Sequence, residues 1–125
     1  MGMNMNDMTA SLVGLDEDTR RAMLQSRLEG FASMPTTERL AAMTAMLNAT
    51  QTLSDDDHRT LVVSRTWALS QLPHDTQVTL IRSHMASLGQ LDSESRQREM
   101  TAMQFGIQSL SDDAMRDLTQ SMKEA

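Results

Sequence analysis

Apolar residues return along this chain at two spacings at once. One is three to four positions, the period of a helix face, and the other is nineteen, the period of a repeat. Leu15, Met34, Leu53, Leu72, Leu91 and Leu110 follow one another at that longer spacing without insertion, and each opens a unit of the same design. With the positions of a unit numbered as columns 1 to 19, column 1 is Leu or Met. Column 2 is Asp, Pro or Ser, residue types that cap or begin a helix. Column 10 carries Leu24, Met43, Val62, Ile81 and Met100, and column 17 carries Phe31, Leu69, Leu88 and Ile107. Columns 13 and 14 contribute Leu28, Met46, Leu47, Met85 and Met103 between them. This is the stripe of a single buried face, so each unit predicts one helix of about 13 to 16 residues beginning near column 2 or 3.

Columns 12 and 16 are small: Ser26, Ala45, Ser64, Ser83, Ala102 and Ser121 in one, Gly30, Ala49, Ala68, Ser87, Gly106 and Ala125 in the other. Residues four apart share a side of the helix, and small ones there let a neighbouring backbone approach. Gly30, Gly89 and Gly106 fall near the expected helix ends, where a left-handed residue would stop the helix. A longer period lies over the short one: LSDD recurs at Leu53 and Leu110, and MTAM at Met43 and Met100. The chain therefore reads as two pseudo-symmetric three-helix blocks, residues 15–71 and 72–125. Before them stands a partial unit, 1–14, whose Met5, Met8, Ser11 and Leu12 fall in columns 10, 13, 16 and 17. The expected fold is all-α, a single domain built as an array of six short antiparallel helices with a seventh at the N-terminus. A compact bundle is favoured over an open solenoid, since it buries more surface per residue in a chain of this length.

Composition supports helix, because Ala, Leu and Met dominate the apolar residues while Tyr is absent and Phe and Trp number two and one. The absence of Cys excludes a disulfide framework, a thiolate zinc site and a cysteine nucleophile. A net charge of -6 argues against sequence-independent nucleic-acid binding, which requires a basic face. The opening MGMNMNDMTASLVG has neither a basic segment nor an apolar core of a leader, and no apolar run is long enough to span a membrane, so a cytoplasmic protein is expected.

Candidate chemistry is sparse. The acids Asp16, Glu17, Asp18, Asp55, Asp56, Asp57, Asp92 and Glu94 fall in the first turns of the first, third and fifth units, where the helix macrodipole favours negative charge. In a zigzag array these three starts share one edge, so the same acids form a rim suited to a partner protein with a basic surface. Met1, Met3, Met5 and Met8 have thioether spacing of the kind that binds Cu(I), which makes them weak metal candidates. The later methionines occupy core columns, where Met serves as an adaptable core residue. His58, His74 and His84 share no ligand spacing, and Asp57 with His58 is absent from the second LSDD copy. No motif for a nucleophile elbow, a phosphate loop, a dinucleotide site or a zinc protease is present, so neither a catalytic role nor a cofactor is expected. The function expected is a noncatalytic protein–protein interaction, scaffold or adaptor module, capable of self-association. The alternative is a Met-rich bundle binding Cu(I), a small ligand or a cofactor.

Overall fold

A computed structural model describes residues 4–125, which form seven helices and no strand. They are α1 (Met5–Val13), α2 (Glu17–Ala32), α3 (Thr36–Thr50), α4 (Asp55–Ser70), α5 (His74–Leu88), α6 (Ser93–Gln108) and α7 (Asp112–Glu124). From α2 onward every helix begins at column 3, so the column-2 residues Asp16, Pro35, Ser54, Pro73, Asp92 and Ser111 are the N-caps. Three of them cap with their side chains: Ser54 Oγ accepts from Asp57 N at 3.2 Å, Asp92 Oδ1 from Ser95 N at 2.7 Å, and Ser111 Oγ from Ala114 N at 3.2 Å. None of these helices is long and apolar enough to cross a membrane.

Turns of three or four residues pass the chain from one layer to another. Helices α2, α4 and α6 make one layer, and α1, α3, α5 and α7 make the other. The tightest packing is therefore between helices two apart in sequence, α2 on α4, α4 on α6, α3 on α5 and α5 on α7. The layers join through α1 and α7 on α4 and through α5 and α3 on α2. Helices within a layer run in the same direction, since early residues meet early ones and late meet late: Asp55 bonds Arg98, whereas Thr66 lies against Gly106. Leu24, Leu28, Met43, Met46, Leu47 and Leu88 of the apolar stripe form the core of this compact bundle, joined by Leu61 and Leu80 of column 9, which the stripe did not include.

Glycine ends α1 and α5, at Gly14 and Gly89, but no helix ends on a left-handed glycine. No described residue has positive φ, Gly30 and Gly106 lie inside α2 and α6, and the C-cap Gly89 is right-handed at φ -63°. Column 6 supplies what a left-handed cap would have supplied. Arg20 donates to the carbonyls of Val13 and Leu15, Arg39 to those of Phe31 and Met34, Gln77 to those of Leu69 and Leu72, and Arg96 to those of Leu88 and Leu91. In α2, α3, α5 and α6 a side chain in the second turn thus satisfies orphan carbonyls of the helix before it. The same residues lock neighbouring helices within a layer, because column 6 reaches column 12 of the helix two further on. Arg20 donates to Ser64 at 2.9 Å, Arg39 to Ser83 at 3.5 Å, and Ser121 donates to Gln77 at 2.6 Å. Gly106 is required by this packing: a Cβ there would stand 2.8 Å from Thr66 Oγ1 and 3.0 Å from Thr66 Cβ.

Candidate functional site

Column 6 departs from Arg or Gln twice, at Met115 of the last unit and at His58 of the third, and the second departure has a counterpart: column 9 of the fifth unit is Glu99, where Leu61, Leu80 and Leu118 are its equivalents. Column 12 of that fifth unit is Ala102, so the Ser that column 6 elsewhere meets is absent too. These departures answer one another. His58 Nε2 lies 2.8 Å from Glu99 Oε2, and Arg65 pairs with Glu99 Oε1. The capping task that His58 abandons passes to Arg98 of α6, which donates to the carbonyls of Gln51 and Leu53 at 3.2 and 2.6 Å.

Glu99 is 0% exposed, and His58, Arg65 and His84 around it are buried. Burial alone would raise the Glu99 pKa, but the Arg65 charge and the hydrogen bonds from His58 and Arg65 outweigh it and hold the carboxyl well below its ordinary value. His84 is pushed the other way by the same burial, which lowers its pKa and keeps its ring neutral. Its Nε2 stands 3.6 Å from Glu99 Oε1, beyond hydrogen-bond reach. His84 Nε2 and Arg65 Nη1 are consequently buried without a partner among the described residues.

Arg65 and His84 also line a cavity of about 60 Å³ between the two layers. Apart from Thr66 its other walls are apolar, with Leu28, Leu80 and Leu118 inside and Met43, Met46, Met85, Met103 and Met122 around them. Met85 and Met122 reach solvent, so the cavity opens along the edge formed by α5, α6 and α7. Methionine side chains are unbranched and polarizable, which lets such walls mould themselves to an entering group.

The sequence candidates lie elsewhere. Because α2, α4 and α6 run in the same direction, Asp16, Glu17, Asp18, Asp55, Asp56, Asp57, Asp92 and Glu94 do come to one end of their layer. Several are already engaged: Glu17 pairs with Arg20 and Arg21, Asp55 with Arg98, and Asp92 caps α6. Met5 and Met8 sit exposed on α1, while Met1 and Met3 lie outside the described residues. Among the described residues no three His, Asp or Glu side chains are grouped to hold a metal ion. Trp67 is half-buried in its helix with Arg21 over the ring at 4.5 Å. His74 begins α5 near the surface and bonds Glu124 and Ser121. Column-by-column comparison carried the signal for the Glu99 cluster, since an acid in an apolar column and a His in an Arg/Gln column stand out there. Comparison with family models, curated proteins and solved structures gives no match to this chain.

Proposed function

We propose that this chain is a noncatalytic protein-interaction module that receives an apolar helix along its α5–α6–α7 edge. One observation carries the reading: residues in core columns are exposed there. Met100 is 47% exposed where its equivalent Val62 is 0%, Met85 is 53% where Leu47 is 0%, and Met122 is 41% where Met46 is 3%. In the interior these columns are covered by helices two and three further on; among the described residues α6 and α7 have neither, and α5 has α7 but no helix three further on. Clustered apolar exposure of this kind marks a binding face, and the cavity lined by Met85 and Met122 offers a socket for an anchoring side chain. A volume of about 60 Å³ is well below the roughly 150 Å³ that accommodates benzene. It suits the tip of one side chain better than a whole small ligand, which favours a protein anchor over the cofactor alternative. The unpartnered donors of Arg65 and His84 add a polar floor able to meet an acceptor on that anchor.

The test uses the repeat's own logic. In a three-unit period the helix after the sixth unit corresponds to the fourth, so a synthetic peptide of residues 72–90 is the probe. In methyl NMR of the chain, the peptide is expected to shift Met85, Met103 and Met122 while leaving Met23 unmoved. The same peptide carrying Leu80→Glu, which charges the column facing the preceding helices, is expected to shift none of these methionines. An absence of shifts at peptide concentrations on the order of 1 mM would remove the proposal, since even weak specific docking is populated there.

A further inference from the structure

We infer that the occupant of this edge is a second copy of the chain, docked head to tail through its α1–α2 edge. The inference rests on the reading that a helix docks along α5–α7 and names that helix. The two ends of the array present the two halves of one interface. Toward the following helices each unit shows columns 10 and 14, buried at Val62 and Leu47 and exposed at Met100 and Met85. Toward the preceding helices it shows columns 9, 12 and 16, buried at Leu61, Ser64 and Ala68. In α2 those same three columns, Met23, Ser26 and Gly30, are exposed, and a Cβ on Gly30 would meet nothing within 4 Å. One end thus offers uncovered large residues, and the other an uncovered Met beside small residues. That is the combination by which α4 seats on α2.

The layer alternation fixes how the ends join. Placing α1 of the second copy beside α6, and its α2 beside α7, continues both layers without a gap. The interior register sets column 6 against column 12 two helices on, as in Arg20–Ser64, Arg39–Ser83 and Gln77–Ser121. Carried across the junction, that register faces Arg96 of α6 with the column-12 residue of α1, which is Asp7, so opposite charges meet. Asp7 is exposed and Arg96 half-buried. Met8, exposed in column 13 of α1, then comes over the cavity rimmed by Met85 and Met122. A contact between two different surfaces of one chain does not close on itself as a two-fold dimer does, so growth beyond two copies is expected.

Sedimentation velocity tests this with the 125-residue chain, Met23→Glu at one edge and Met100→Glu at the other, both at exposed sites. The unaltered chain is expected to gain mass beyond 13.9 kDa between concentrations of about 10 µM and about 1 mM. Each variant alone, with its melting temperature unchanged, is expected to stay monomeric at every concentration. An equimolar mixture of the two is expected to form a dimer and nothing larger, because one intact edge of each kind remains. Three outcomes overturn the inference: an unaltered chain that stays monomeric, a mixture that fails to pair, or a Met23→Glu variant that still dimerises alone, which would indicate a two-fold contact through the other edge. If the chain stays monomeric while the 72–90 peptide still shifts Met85, self-association is refuted and helix docking stands. If neither occurs, both are refuted.

Discussion

Glu99 is the residue whose placement is hardest to reconcile with a purely apolar core, and its neighbours show how it is tolerated. A buried carboxylate is costly unless its charge is matched and its oxygens are bonded, and here Arg65 matches the charge while Arg65 and His58 occupy one oxygen each. Glu99→Leu alone leaves Arg65 buried without a counter-charge and is expected to cost about 3–5 kcal/mol in urea unfolding. His58→Leu, Arg65→Met and Glu99→Leu together restore apolar residues and are expected to lie within about 1 kcal/mol of the parent or above it. The pH dependence carries the same signature. His84 binds its proton less readily folded than at its ordinary value of 6.5, so the unfolded chain takes up the proton first and stability falls as pH drops below 6.5. The Glu99 carboxyl is held below its ordinary 4.5, so its contribution is present above 4.5 and is lost below it. The triple variant is expected to show a shallower loss below 4.5, with the limb near 6.5 retained. Sequence reading singled out His58 and His84 but not Arg65 or Glu99, and could not bring them together, because His58 and Glu99 are 41 positions apart and meet only once α6 lies beside α4.

At the scale of the element, helix starts were legible to within a residue and helix ends were not. Starts depend on local chemistry, the cap at column 2 and the acids after it, which the sequence displays directly. Ends depend here on a side chain from the next helix, so the glycines that looked like stop signals serve other purposes or none. Gly106 makes room for Thr66 of α4, whereas Gly30 faces open space. Opposite outcomes follow for the same substitution. Gly30→Ala is expected to raise stability by about 0.5–1 kcal/mol through helix propensity. Gly106→Ala is expected to lose about 1–3 kcal/mol, because Thr66 or the helix itself must shift. Thermal unfolding of the two variants decides it, and equal effects at both sites would refute the close approach of α4 and α6.

For the molecule as a whole, position in the array matters more than residue type. Column 13 holds Met46 in α3 and Met122 in α7, the first inside the core and the second on the uncovered edge. Met46→Glu is expected to cost more than about 3 kcal/mol, a buried unpaired charge, and Met122→Glu no more than about 0.5 kcal/mol in the isolated chain. Denaturant unfolding at low protein concentration separates them. Taken alone, the sequence determined the helical class, the nineteen-residue unit, the helix starts to within a residue and most of the face each helix buries, column 9 excepted, because these follow from periodicity and capping within about five residues of each position. Tertiary structure decided which helices are neighbours, which core-type residues remain uncovered, and that His58, Arg65, His84 and Glu99 form one cluster. Those facts depend on stacking helices two apart into layers, an arrangement that places residues some forty positions apart in contact and leaves no local trace in the chain.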